Sequence, residues 1–276
     1  MPTVGGGGLY STTADIASYV AALLRVPSKE QESVLKPETL TTMFRPHFQP
    51  DRRVPGMGLG FELGEEGGNK TVGKTGVLSG FHSAISLAPD EGIGVIVLSN
   101  TGGLDGRGAP TPLATMLTRL LLGLSVDPIR IEIPPHPENW AEICGWYGLP
   151  PGPVTNLFMR ALMGAGAEVV VQGGHLMLKP LTLIPAMRRG FRLYPDDPND
   201  PYVFRIYFPE FGMDLRVVFQ GEGEGGRPRR LLLDTMSFER RPDIRNPRPW
   251  LTGGLAVGAG ALAIRGVRHY RGSVST

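Results

Sequence analysis

The residues most suited to chemistry stand together at Lys74-Thr75-Gly76, a cation, a hydroxyl and a position without a side chain in succession. A tripeptide of this kind arises by chance in about one chain in fifteen of this length at average residue usage, so its weight comes from its setting. It ends a predicted strand and is followed by Val77-Leu78-Ser79-Gly80-Phe81, then by an apolar hairpin. The plainer reading of Lys74 is a solvated edge lysine that discourages strand pairing. His82 begins the next strand and is a second candidate for ligand contact, set against the commoner structural role of a single histidine. The other histidines show no metal-ligand spacing. Cys144, the one cysteine, has no histidine beside it in a cysteine-enzyme arrangement and reads as a small buried apolar residue. The four glycines at 5–8 are not a phosphate loop, because no strand precedes them and no Lys-Ser/Thr pair follows.

Periodicity supplies the elements that must position these residues. Thr12 and Asp15 form a capping pair ahead of Ile16, Tyr19, Val20, Leu23 and Leu24, which share one helical face until Pro27. Pro37 opens a short second helix that buries Leu40, Met43 and Phe44. Residues 45–56 hold three prolines and read as a loop. Leu59, Phe61 and Leu63 then alternate as a strand, and residues 70–74 lead into a second. Residues 82–88 and 93–98 make an antiparallel hairpin around Pro89-Asp90-Glu91-Gly92. Helical spacing returns over 111–124.

The 276 residues favour two domains, and a hydrophobic share of 41% is enough for packed cores. A net charge of +2, concentrated in the tail, is too small and too local for nucleic-acid binding. Residues 125–139 carry four prolines without periodicity and read as a linker. Beyond them short strands are predicted at 169–171, 175–178, 191–194, 203–208, 215–219 and 231–233, a spacing that suits a small barrel or sandwich. Trp140, Trp146 and Tyr147 read as its core plugs.

Taken together, Gly7-Gly8-Leu9-Tyr10-Ser11-Thr12-Thr13-Ala14-Asp15, Gly58-Leu59-Gly60-Phe61, Lys74-Thr75-Gly76 and residues 92–100 resemble the class C β-lactamase-related family, which includes penicillin-binding peptidases and esterases. The resemblance covers about residues 4–124, in the family's order. Residues 140–242, opening on Gly145-Trp146-Tyr147-Gly148, look like the lipocalin-like barrel that follows the catalytic domain in some members. The expected fold is α+β. Residues 1–124 would be the C-terminal part of a β-lactamase-like domain, an antiparallel sheet flanked by helices. A linker at 125–139, a small all-β barrel at 140–242 and a basic tail with a short apolar Gly/Ala segment at 243–276 would follow.

The resemblance implies serine acylation of an amide or ester, with a β-lactam, a D-amino-acid peptide or a short ester as substrate class and no cofactor. The oxyanion would lie between the nucleophile's own N–H and the backbone N–H of Val77. Lys74 would orient a substrate carboxylate and hold the nucleophile's base in its working protonation state. Thr75 would hydrogen-bond that carboxylate, and Gly76 would let substrate approach the strand edge. The family's other two motifs are absent. Of the serines only Ser33-Val34-Leu35-Lys36 fits Ser-x-x-Lys, and there Pro37 disfavours a helical Lys36 while the order along the chain is wrong. Neither Tyr-x-Asn nor Ser-x-Asn occurs.

These observations predict a C-terminal portion of such a hydrolase, inactive alone, whose nucleophile helix and first strands lie upstream or on a complementing chain. The strand at 93–98 would then lack a neighbour. The opening Met1-Pro2-Thr3-Val4 has no charged n-region or apolar h-region, while the resemblance implies a cell-envelope or secreted location. A competing reading is a non-catalytic binding protein whose barrel holds an apolar ligand or a partner chain. Residues 251–264 are fourteen positions, apolar apart from Thr252, where a span needs about twenty. Trp250 and snorkelling from Arg265 would lengthen the segment, so one reading of Trp250 to Ile264 is a short surface-lying or membrane-anchoring helix. The alternative is a flexible Gly/Ala tail.

Overall fold

A computed structural model describes residues 8–24, 35–78, 80–101, 110–127, 129–150, 166–182, 185–208 and 213–247. The segment at 250–264 and Ser33 lie outside them. Helix α1 (Thr13–Leu24) starts on the expected cap: Thr12 Oγ1 accepts the Asp15 N–H at 3.2 Å and donates to the Asp15 carboxylate at 2.8 Å. Helix α2 (Pro37–Met43) starts on its proline, and Lys36 before it is extended, with φ −67° and ψ 149°.

Strands β1 (Gly56–Met57), β2 (Glu62–Glu66), β3 (Asn69–Leu78), β4 (Phe81–Ala88) and β5 (Ile93–Ser99) form an antiparallel sheet in sequence order. β2 begins later than the alternation of Leu59, Phe61 and Leu63 implied. Gly60 takes φ +81° and the Gly58 N–H donates to the Phe61 carbonyl, so residues 58–61 turn, leaving Leu59 exposed while Phe61 and Leu63 are buried. On one face Val20 and Leu23 of α1 and Leu40 of α2, with Phe44, pack on Phe61, Leu63, Val72 and Leu87. The Phe44 and Phe61 rings meet edge to face at 5.2 Å. On the other face α3 (Pro110–Leu121) sets Ala114 against Ala84 and Val95, and the Thr118 and Ser86 hydroxyls are hydrogen-bonded at 2.9 Å. Among the described residues β5 pairs with β4 only, so it forms one edge of the sheet.

After the one-turn α4 (Trp140–Ile143) comes a barrel-like sheet of nine strands among the described residues. They are β6 (Gly145–Gly148), β7 (Gly166–Gln172), β8 (His175–Pro180), β9 (Phe191–Arg192), β10 (Tyr194–Pro195), β11 (Val203–Phe208), β12 (Met213–Glu222), β13 (Pro228–Leu233) and β14 (Met236–Arg241). The order runs β10-β11-β12-β13-β14-β6-β7-β8-β9, and only Leu193 separates the strands at its two ends, which nearly closes the barrel. β6 and β14 were not expected as strands: β6 is four residues long, and Glu239, Arg240 and Arg241 break the apolar alternation of β14. Inward positions are filled by Tyr147, Val169, Ile206, Val217, Phe219, Leu231 and Phe238. The Tyr147 hydroxyl donates to the Ile143 carbonyl at 2.7 Å, and burial pushes its phenol pKa upward.

The outward residues Val203, Val218 and Leu232 are also buried, because Val54 from the loop before β1 packs on them. Charges surround this contact. Arg53 bonds Asp51 and, across to the barrel, Asp200, each at 2.8 Å, and Arg216 Nη1 donates to the Arg53 carbonyl at 3.3 Å. Asp196 takes both Arg205, at 2.9 Å, and Arg216, at 2.8 Å, and Arg205 also pairs with Asp214. Asp234, in the tight turn between β13 and β14, has φ +49° and accepts the Arg216 backbone N–H at 2.9 Å. Among the described residues no side-chain cation bonds it, and burial raises its carboxyl pKa to about 6.

That raised value makes the folded protein bind the Asp234 proton more tightly than the unfolded chain, whose aspartates titrate near about 3.9. The associated stability is complete below about pH 4 and is lost as pH rises through 6. Asp234→Asn keeps the acceptor for the Arg216 N–H and tolerates the left-handed turn. It should therefore exceed the parent in stability by about 2 kcal/mol at pH 7.5 and match it near pH 4. Paired denaturant titrations at the two pH values test this, and a difference that does not change with pH would exclude a perturbed carboxyl.

Candidate functional site

The geometry of Lys74-Thr75-Gly76 follows from two hairpins of known parity. Gly67 and Gly68, at φ +59° and +88°, make the two-residue turn between β2 and β3, so Glu66 and Asn69 form its closing hydrogen-bonded pair. Alternation then sends the N–H and C=O of Thr71, Gly73, Thr75 and Val77 towards the β2 side. Two residues also connect Leu78 to Phe81, which sends Leu78, Gly76 and Lys74 towards β4, in agreement. The β2–β3 pairing ends at Glu62↔Gly73. Among the described residues no strand covers the edge beyond it, so none of them pairs with the backbone groups of Thr75 and Val77 on that side.

Side-chain faces follow the same parity. Val72 packs under α1 and α2, so Lys74 and Gly76 lie on that face, and Lys74 is exposed. Thr75 and Val77 lie on the α3 face, with Ala84 and His82 as their partners on β4. The structure therefore brings Lys74, Thr75, Gly76 and the Val77 backbone to one stretch of open edge, and it places His82 on the opposite face from Lys74. His82 is 2% exposed, and among the described residues neither ring nitrogen has a hydrogen-bond partner. A Cβ at Gly76 would come within 2.6 Å of Ser83 Oγ, a hydroxyl free to rotate aside, so packing alone does not require glycine there. The Val77 side chain is 58% exposed, so the contribution available from this residue at the edge is its backbone.

Three residues at this site carried no signal in the sequence. Glu62, on the α3 face of β2, accepts the Thr75 hydroxyl proton at 2.9 Å. Asp234 and Thr235 of the barrel reach the same region, where with Glu62, Gly73, Thr75 and Thr115 they line a cavity of about 390 Å³. Glu62 looks like one more polar position in an alternating strand, and the barrel turn is more than 150 residues away in the chain. Cys144 is half-buried against the barrel core, and burial pushes its thiol pKa up, away from the thiolate a nucleophile needs. Among the described residues no group of His, Cys, Asp and Glu could hold a metal ion.

Comparison with known proteins places the first sheet. The family model described as Beta-lactamase matches residues 1–118. This segment is β-lactamase-related. Solved structures similar to the chain include the octameric penicillin-binding protein homologue from Pyrococcus abyssi, at 20% identity and TM-score 0.37, covering 83% of this chain and 46% of that one. SurE is similar at 18% identity and TM-score 0.46, covering 83% and 48%. SurE with D-Leu is similar at 18% identity and TM-score 0.45, covering 80% and 48%. The chain thus spans about half the length of these solved structures. No curated protein matches it. Within this segment β3 runs on through Lys74-Thr75-Gly76 to Leu78 instead of ending at the motif as the sequence suggested, and the hairpin after it is β4–β5. No helix among the described residues is long and apolar enough to cross a membrane.

The two unpartnered nitrogens of His82 are a cost to the fold, since a buried polar group without a partner forfeits its hydration. His82→Leu should hold or raise stability, by about 1 kcal/mol, in equilibrium unfolding. A loss of that size would mean the ring has a polar partner in the folded protein.

Proposed function

We propose that this chain supplies the substrate-edge half of a serine acyl-transfer site in a β-lactamase-related hydrolase acting on a β-lactam, a D-amino-acid peptide or a short ester. The observation that carries the reading is the open edge at Thr75 and Val77, beside an exposed Lys74 and a glycine that packing does not demand. A serine attacking a carbonyl laid along this edge would leave the oxyanion between its own N–H and that of Val77, where a preorganised donor contributes most. Lys74 adds positive charge to the same edge.

The serine itself is not in this sequence as a Ser-x-x-Lys at a helix start. In this reading it comes from sequence outside these residues, on the same polypeptide or on a complementing chain. The edge position of β5, which carries Ile93, Val95, Ile96, Val97 and Leu98 without a charge, suits an added strand from that partner. The barrel's role is structural in this reading. Its inward positions hold Tyr147, Phe219, Phe238 and their aliphatic neighbours, which supports a packed support over a container for an apolar ligand. Residues 250–264 are proposed to rest on a membrane surface through Trp250 and the flanking arginines.

The 276-residue chain incubated with a fluorescent penicillin should remain unlabelled. Covalent label on any of its serines, Ser33 included, would place a nucleophile within this chain and defeat the reading. Supplied with a partner segment that bears Ser-x-x-Lys, the protein should hydrolyse a chromogenic ester. Lys74→Ala should then lower kcat/KM by about a hundredfold, the scale of a lost transition-state contact. Val77→Ala, which keeps its N–H, should lower it far less, and equal losses would mean that packing rather than charge is being read.

A further inference from the structure

One contact at the edge bears on what the site accepts. Thr75 Oγ1 donates its single hydroxyl proton to Glu62 at 2.9 Å, from the neighbouring strand and on the same face of the sheet. A threonine hydroxyl has one proton and two lone pairs, so a hydroxyl committed in this way presents only acceptor sites to anything else. The geometry is held from both sides. Glu62 forms the last register pair of β2 with Gly73, two residues before Thr75, so the two side chains are diagonal neighbours. β2 is in turn anchored by the burial of Phe61 and Leu63.

We propose, resting on the acyl-transfer reading of this edge, that Glu62 is a specificity-determining residue. It turns the Thr75 hydroxyl into an acceptor, so the site takes substrates that bring a neutral N–H or O–H to this point rather than a free carboxylate. Two effects act in the same direction. A substrate carboxylate at Thr75 finds no proton to accept, because the hydroxyl would have to abandon Glu62 to provide one. It would also sit near the Glu62 carboxylate, a like charge. Lys74 offers no compensation on that side, because parity places its side chain on the opposite face of the sheet. An amide-blocked peptide, or a neutral ester that carries an N–H or O–H, meets neither obstacle. Its N–H or O–H donates to Thr75 Oγ1 while its carbonyl lies at the Val77 N–H.

The test uses the full 276-residue chain and a matched pair of probes, N-acetyl-D-alanine and N-acetyl-D-alaninamide. Binding is followed by NMR shifts of the Lys74, Thr75, Gly76 and Val77 amides, so acylation is not required. The parent should bind the carboxamide at least as tightly as the carboxylate. Glu62→Gln keeps the shape of the side chain and can donate to Thr75 instead, which frees the hydroxyl proton. It should therefore raise the carboxylate-to-carboxamide affinity ratio about tenfold, as should Glu62→Ala. Adding Thr75→Val to Glu62→Gln should abolish that gain, which a purely structural role for Glu62 would not predict. Saturable binding with a ratio insensitive to Glu62, or a parent that already prefers the carboxylate severalfold, overturns this inference and leaves the edge as a binding site. Absence of saturable shifts with either probe overturns the edge itself, and the inference with it.

Discussion

Everything proposed for this protein depends on the register of β3. A strand offers its backbone groups to one side and then the other, and its side chains to one face and then the other, so a slip of one residue exchanges both sets at once. Here a two-residue connection at each end of β3 leads to a neighbouring strand, and the two parities agree. Lys74 is thereby held on the α1–α2 face, while the amides of Thr75 and Val77 point away from β4. β2 then stops at Glu62, which leaves those amides without a neighbouring strand among the described residues. With the opposite parity, the same tripeptide would direct these backbone groups into a completed ladder.

The barrel contributes to that register from outside. Its interior is packed with aromatic and aliphatic side chains, and its outer surface carries three buried valine and leucine residues that need a cover. Val54 supplies it, and the segment around Val54 leads directly into β1, which pairs with β2. The charges about this contact specify orientation more than they add stability, because each buried ion gives up hydration that its partner only partly repays. Arg205 and Arg216 converge on Asp196, and Arg53 bridges Asp51 and Asp200, so the arrangement works in one docking geometry. Glu66 joins the same logic within the first sheet. Its carboxyl pKa is raised by burial and opposed by Arg119 of α3, which clamps the end of β2.

Most of the elements were legible because they follow local rules. The Thr12–Asp15 cap, the proline start of α2 and the Gly92-terminated turn between β4 and β5 each depend on residues a few positions apart. The sequence misled where a local pattern had a competing backbone demand. Leu59, Phe61 and Leu63 alternate like a strand, yet Gly60 at positive φ turns the chain there and exposes Leu59. In the barrel, β6 and β14 were hidden because short length and charged positions erase the alternation that reveals a strand. Their pairing with each other, across some ninety residues of chain, completes the sheet.

The sequence by itself determined much of the local structure, the placing of Lys-Thr-Gly on a strand, and the apolar hairpin after it. These are matters of residue type and spacing, which a linear chain records directly. Only the tertiary structure decided that, among the described residues, the motif edge has no pairing strand beyond Gly73, that His82 is buried on the far face with no partner among them, and that the Thr75 proton belongs to Glu62. It also decided that a barrel turn carrying Asp234 comes to the same region. Each of these depends on where one strand ends against another or on which surfaces two sheets bury together. Such facts arise from long-range packing, where the free energy of burial outweighs any preference written in the neighbouring residues.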